Sequence, residues 1–179
     1  MEINDAVVLI RDAVGESAGV WADLGAGTGT FTRALVQLLA DGSTIYAVDD
    51  DDDAIAALRA WAVASRNRMV PVHGDFTRGL DLPGLGDSPL DGILLANALH
   101  FVRDARGVLT RLTQRVRPGG RVVVVEYDRR GASRWVPYPI DASRWPQLAT
   151  AAGLVQPVIT ATRSSAYAGM LYAAVATRN

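Results

Sequence analysis

Residues 20–29, Val-Trp-Ala-Asp-Leu-Gly-Ala-Gly-Thr-Gly, constrain this chain more than any other stretch. Five mostly apolar residues read as a buried strand with an acid, Asp23, near its end, and the glycines that follow read as a tight turn opening a helix. Glycine is required where a Cβ would block the turn or hold the backbone away from a ligand. The helix that follows aims its first N–H groups at whatever lies over the turn. The spacing is G-x-G-x-G, and the sixth position is Thr30, so the dinucleotide fingerprint G-x-G-x-x-G is not met.

Hydrophobic periodicity supplies the rest of the framework. Val7, Ile10 and Val14 predict a helix over 4–14, with Asn4 or Asp5 as its cap. Strands are predicted at Val20–Leu24, Thr44–Val48, Met69–Val72, Asp91–Ala96 and Arg121–Glu126. Between them lie helices after the glycine turn, over 53–65 and over 104–116, the last stopped by Pro118-Gly119-Gly120. A Gly-, Pro- and Asp-rich loop spans 77–89. A helix over 143–152 follows, with Ser143 as N-cap, Pro146 in its first turn and Gly153 beyond its end. Two late strands, 154–161 and 168–177, flank a hairpin at Arg163-Ser164-Ser165. Alternating strands and helices imply an α/β fold: a doubly wound, mostly parallel sheet with an antiparallel C-terminal hairpin.

In such a sheet ligands sit outside the carboxyl ends of the strands, beside the first strand. Each of the next three strands ends in a group that suits a nucleoside. Asp49 can accept both hydroxyls of a ribose, while Asp50–Asp53 read mostly as a solvated helix start, Asp50 being the one of them placed to join Asp49. Asp75 can accept an adenine amine, and Phe76 offers an N–H and an apolar wall. The carbonyls around Ala96-Asn97 can meet an ammonium group, and Asp23 can hold the turn and orient that end. Adenine, ribose and an amino-acid tail together describe S-adenosylmethionine.

Across about residues 20–126 these features resemble the class I S-adenosylmethionine-dependent methyltransferases, and their small-molecule branch in particular. Gly25, Gly27 and Gly29 match the first motif, Asp49 the ribose acid and Gly74-Asp75-Phe76 the adenine motif. Asn97-Ala98-Leu99-His100-Phe101 matches the segment after strand four, and Pro118-Gly119-Gly120 precedes strand five. The resemblance implies seven strands in the order 3-2-1-4-5-7-6. It also implies one domain over 1–179: an N-terminal helix at 1–15, a cofactor core at 20–126, and an acceptor-side loop with the final strands at 127–179. Methylation of nucleic-acid bases through Asn or Asp followed by Pro-Pro-aromatic is not expected, because Asn97 is followed by Ala98-Leu99-His100.

A sulfonium methyl group is already activated, so an aligned nucleophile suffices, and a base is needed only where the acceptor must lose a proton. His100, Glu126, Tyr127, Asp128 and Tyr138 are the candidates. Arg129, Arg130, Arg134, Trp135 and Tyr138 give the segment after strand five a character suited to a planar or anionic small molecule. His73 reads as structural, and Trp61 and Trp145 as core. The competing readings are a non-catalytic cofactor-binding or partner subunit, and a nicotinamide dehydrogenase. The second fails at Thr30 and at the missing Tyr-x-x-x-Lys, since all 18 basic residues are arginine.

Composition closes other routes. A net charge of −1 gives no broad basic surface for nucleic acid. No cysteine is present to form a disulfide, act as nucleophile or hold a metal, and the two histidines lack metal-ligand spacing. No metal, nucleic-acid or membrane partner is expected. A cytoplasmic setting is expected, since no apolar run reaches the ~20 residues of a membrane span and no signal peptide is visible.

Overall fold

The computed structural model describes residues 1–62, 67–165 and 169–179. Its elements are α1 (Ile3–Val14), β1 (Val20–Leu24), α2 (Thr30–Leu38), β2 (Thr44–Asp49), α3 (Asp52–Ala62) and β3 (Arg68–His73), then β4 (Leu90–Ala96) and α4 (Ala105–Thr113), and finally β5 (Val116–Asp128), α5 (Trp145–Ala151), β6 (Leu154–Ser164) and β7 (Met170–Arg178). The strands form one sheet in the order β3-β2-β1-β4-β5-β7-β6. Pairs among β1 to β5 are parallel, and β7 runs antiparallel to both β5 and β6. The expected fold class and strand order are both observed.

The central strands are apolar throughout because both faces are covered, and their side chains alternate between two cores. Ala22, Leu24, Ile93, Leu95, Val122 and Val124 meet α4 and α5 through Leu109, Leu112 and Trp145. Trp21, Ile45, Leu94, Val123 and Val125 meet α1 and α2 through Ile10, Ala13, Phe31 and Leu35. Trp21 lies across Gly92 of the neighbouring strand, where a Cβ would come within 2.5 Å of its ring. Among residues 77–89, Leu82 plugs the first core and the Tyr46 hydroxyl donates to the Pro83 carbonyl at 3.0 Å.

Several local expectations are corrected. The cap of α1 is Glu2, with no side-chain bond, because Asn4 and Asp5 already lie inside the helix. Asp5 instead pairs with Arg163 of β6 at 2.8 Å. The end of the 53–65 helix lies partly outside the described residues. Helix α4 is capped by the Asp104 side chain on the Gly107 N–H and ends at Thr113, because Val116 is drawn into the sheet opposite Leu90. Pro118-Gly119-Gly120 therefore lies in a bulge of β5, where the register jumps between Leu90 and Gly92, rather than terminating a helix. Ser143 does not cap a helix either. It sits within a 3-10 turn, Ala142–Arg144, that leads into α5. Arg163 and Ser164 extend β6, while the expected strand start at 168 lies outside the described residues. Strand β6 is itself irregular, with register shifts between Val155 and Val158 and between Ile159 and Ala161.

Candidate active site

The glycine turn joins β1 to α2 at the carboxyl edge of the sheet. All three glycines have positive φ, +76° at Gly25, +52° at Gly27 and +90° at Gly29. Their surroundings differ. A Cβ on Gly25 would lie 2.6 Å from that of Ala98, and one on Gly29 would lie 2.6 Å from Leu58 Cδ2. A Cβ on Gly27 would meet nothing within 4 Å, because Gly27 borders an open cavity of about 320 Å³. Packing demands glycine at the outer two positions, whereas at the middle one the backbone is bare toward free space. The Gly27 N–H donates to Asp49 Oδ2 at 2.7 Å, which fixes that carboxylate beneath the turn. Asp49 Oδ1 accepts the Asp51 N–H at 3.0 Å.

Asp49, Asp50, Asp75 and Phe76 line one crevice of about 450 Å³ together with Gly25. Asp75 Oδ1 accepts both the N–H and the hydroxyl of Thr77, at 2.9 and 2.6 Å, and Oδ2 meets Arg78 at 3.1 Å. The Thr77 hydroxyl above all, with help from Arg78, holds the Asp75 carboxyl below the usual carboxylate range. His73 is exposed at the end of β3, where its Nε2 contacts the Asp50 carbonyl at 3.1 Å. Asp23 is wholly buried behind the turn. Its Oδ2 accepts the Thr32 hydroxyl at 2.7 Å, while Oδ1 has no hydrogen-bond partner among the described residues. Burial pushes its pKa up to about 7; the Thr32 bond opposes this and the nearby Asp49 charge adds to it.

Asn97 ends β4 in a left-handed conformation, φ +54°, which asparagine tolerates better than most residues. Its Oδ1 is buried without a partner among the described residues. Asn97 borders the cavity at Gly27, the crevice at Asp49 and a third cavity of about 550 Å³. This third cavity is formed with His100, Phe101, Tyr127, Arg130 and Trp135. His100 and Glu126 are both buried, and Nδ1 of His100 lies 2.5 Å from Glu126 Oε2. The backbone N–H of His100 donates to Oε1 at 3.1 Å. Arg130 stacks over Tyr127 at 4.5 Å, and Arg134 over the exposed Trp135 at 4.8 Å.

The structure thus gathers the cofactor-side residues named from sequence around one continuous edge, with Asp23 behind them. It separates the acceptor-side set. His100, Tyr127 and Trp135 share a cavity, whereas Tyr138 lines a different crevice with Val102 and Arg103, although its N–H donates to the His100 carbonyl at 3.0 Å. Arg134 reaches the site only through its stack on Trp135. Phe101 is a wall of the site that sequence reasoning misses, and its one visible signal is its place directly after His100. No group of His, Cys, Asp or Glu able to hold a metal occurs among the described residues.

The sequence family described as a methyltransferase domain matches residues 22–122, the segment from β1 to the middle of β5. The chain belongs to this methyltransferase family. A demethylmenaquinone methyltransferase of Clavibacter sepedonicus is 34% identical over 105 residues, which are 59% of this chain and 40% of that protein. Fumosorinone synthetase of Cordyceps fumosorosea is 31% identical over 143 residues, 72% of this chain and 3% of that protein. The methyltransferase chain therefore spans well under half the length of these curated relatives. The crystal structure of a Burkholderia thailandensis 1,6-didemethyltoxoflavin-N1-methyltransferase with S-adenosylhomocysteine superposes with a TM-score of 0.78 at 22% identity, covering 99% of this chain and 78% of that one. An Aquifex aeolicus SAM-dependent methyltransferase gives 0.75 at 14% identity, covering 98% and 90%. These two likenesses show the shared fold.

Proposed function

We propose that this methyltransferase binds S-adenosylmethionine along the edge from Asp75 to Asn97 and passes its methyl group to a small-molecule acceptor. The observation that carries the reading is Asn97, which joins all three cavities and presents an unpartnered buried oxygen. The residues fit the cofactor. Asp49 and Asp50 would take the ribose, Asp75 and Phe76 the adenine, and the open backbone at Gly27 with Asn97 the amino-acid end, on a turn that Gly25 and Gly29 allow to form. Asp23 supports the turn through Thr32. When bound, the cofactor supplies a positively charged sulfonium carbon that needs only an aligned nucleophile. The chain's own part is to position the acceptor and exclude water beside His100, Tyr127 and Trp135.

A cavity of about 550 Å³ lies in the range of small-molecule sites. The Burkholderia and Clavibacter enzymes are named for small-molecule substrates, 1,6-didemethyltoxoflavin and demethylmenaquinone, which supports the same acceptor class. No helix among the described residues is long and apolar enough to cross a membrane. A cytoplasmic setting without nucleic-acid partners belongs to the same proposal. Calorimetry with S-adenosylmethionine, S-adenosylhomocysteine and NAD tests it: the first two bind and NAD does not. Asp49→Ala weakens the sulfur nucleosides by about 1.5–3 kcal/mol, as for lost hydrogen bonds to a charged group. Failure of both to bind the wild type refutes the assignment, and an unchanged affinity in the variant removes Asp49 from it.

A further inference from the structure

We propose that the crevice where Arg103, Arg106 and Arg144 meet binds a phosphate monoester, and that the methyl acceptor carries this phosphate at one end and a ring at the other, the ring lying in the third cavity. The second half rests on the methyltransferase reading above; the phosphate site stands without it.

The crevice, about 420 Å³, opens between the start of α4 and the segment that leads from β5 to α5. Three arginines line it, and Asp104 is the one carboxylate among its described lining residues. That carboxylate is already committed, because its Oδ1 accepts the Gly107 N–H at 2.9 Å and caps α4. Arg144 gives Nη1 to the Pro139 carbonyl at 3.0 Å, which holds one wall. The guanidinium groups of Arg103 and Arg106 have no hydrogen-bond or ion-pair partner among the described residues. Most arginines elsewhere are occupied: Arg117 pairs with Asp91 at 2.6 Å and Arg163 with Asp5 at 2.8 Å, while Arg111, Arg115 and Arg121 donate to backbone carbonyls. Three cations facing one committed anion leave an excess of two positive charges in one crevice. Their mutual repulsion is relieved by a dianion, which a phosphate monoester becomes above its second pKa of about 6. Guanidinium forks also match phosphate oxygens in geometry. A carboxylate would bring one charge too few.

The chain ties this crevice to the acceptor cavity. Phe101 and Val136 border the third cavity, and the residues that directly follow them, Val102 and Pro137, border the crevice. At that seam the Tyr138 N–H donates to the His100 carbonyl at 3.0 Å and joins the two walls. Phe101 and Tyr138 are both exposed there, so the ridge between the two hollows is aromatic. Trp135 gives the third cavity a flat wall that suits a ring. One ligand lying across the ridge thus meets a ring site at one end and cations at the other. The acceptor class that fits is an aromatic or other planar compound joined by an apolar spacer to a terminal phosphate. A soluble ester and a lipid headgroup present the same phosphate, and the experiment separates them.

The experiment titrates the full chain at pH 8 and low salt with inorganic phosphate, with 4-phenylbutyl phosphate and with phosphatidylcholine vesicles containing phosphatidic acid. The phenylbutyl ester is expected to bind at least about tenfold more tightly than inorganic phosphate, the worth of one buried ring. Replacing both Arg103→Gln and Arg106→Gln should weaken the two soluble probes by at least about tenfold. Trp135→Ala should weaken the phenylbutyl ester alone, toward the affinity of inorganic phosphate. Both arginines are exposed, and an unchanged S-adenosylhomocysteine affinity reports that each variant is folded. In the wild type, phosphate affinity should fall as salt is raised, a readout that needs no variant. Binding to the vesicles alone, lost in the arginine variant, would assign the phosphate to a lipid headgroup. No binding to any of the three, or binding that survives the arginine variant, overturns the site. A phenylbutyl ester indifferent to Trp135→Ala overturns the link to the acceptor cavity. Absence of S-adenosylhomocysteine binding to the wild type overturns the methyltransferase reading, and with it the acceptor half of the proposal, whatever the phosphate probes do.

Discussion

Asp23→Asn tests the electrostatics behind the glycine turn. The carboxyl is wholly buried, with one oxygen on Thr32 and the other unpartnered, and its pKa rises from 3.8 to about 7. Folding therefore raises this group's affinity for its proton. Its contribution to stability is complete below the unfolded value near 4, fades as pH climbs toward about 7, and is constant above that. Between pH 5 and pH 8 the wild type should lose about 3 kcal/mol through this group alone. The amide that replaces the carboxyl cannot titrate, and its oxygen can still accept the Thr32 hydroxyl. Its NH2 group takes the place of the unpartnered Oδ1, a change whose cost does not depend on pH. Urea unfolding of both proteins at pH 5, 6, 7 and 8, followed by tryptophan fluorescence, gives the comparison directly. The difference between variant and wild type should shift in favour of the variant by about 3 kcal/mol from pH 5 to pH 8, since all other carboxylates and both histidines cancel. Parallel curves across that range would falsify the account of a buried, proton-holding Asp23.

The first two glycines of the turn should separate stability from binding. Gly25→Ala drives a Cβ into Ala98 at positive φ and should cost about 2 kcal/mol or more by thermal or urea melting. Gly27→Val meets no neighbour, so it should cost only about 1–2 kcal/mol of backbone strain yet abolish S-adenosylhomocysteine binding; normal binding would make the turn merely structural. Trp135→Ala should leave cofactor affinity within error and raise the acceptor KM several-fold, because Trp135 lines the third cavity and neither the Gly27 cavity nor the Asp49 crevice. An unchanged KM would place the acceptor elsewhere.

The cofactor side was legible because it depends on where strands end. Asp49, Asp75 and Asn97 each follow an apolar run at the same edge of a parallel sheet, so reading the runs places the residues. The His100–Glu126 pair was not legible as a pair. It depends on the β4–β5 register, which sets Ala96 beside Val125 and brings together residues 26 apart in the chain. Tyr138 and Trp135 differ in fate for a similar reason. The segment between β5 and α5 turns at Arg129, φ +52°, and folds back through the Ser133–Val136 bridge. No periodicity encodes which of its side chains face inward. The helix caps were not legible because the chain enters α1 earlier, at Glu2, and reaches α5 through the 3-10 turn Ala142–Arg144.

The irregularity of β6 has a consequence for how copies of this molecule meet. As the outermost strand it offers unpaired backbone groups, and Val155, Val158 and Ile159 add exposed apolar side chains, the ingredients of edge-to-edge aggregation. Its two register shifts, the left-handed Gln156 at φ +52° and the adjacent Pro157 prevent a straight row of donors and acceptors from forming there. A second copy approaching this edge would find few of its hydrogen bonds in step. The bulges thus act as a guard against fibrous self-association, and the strand keeps its greasy exterior without offering a template for growth.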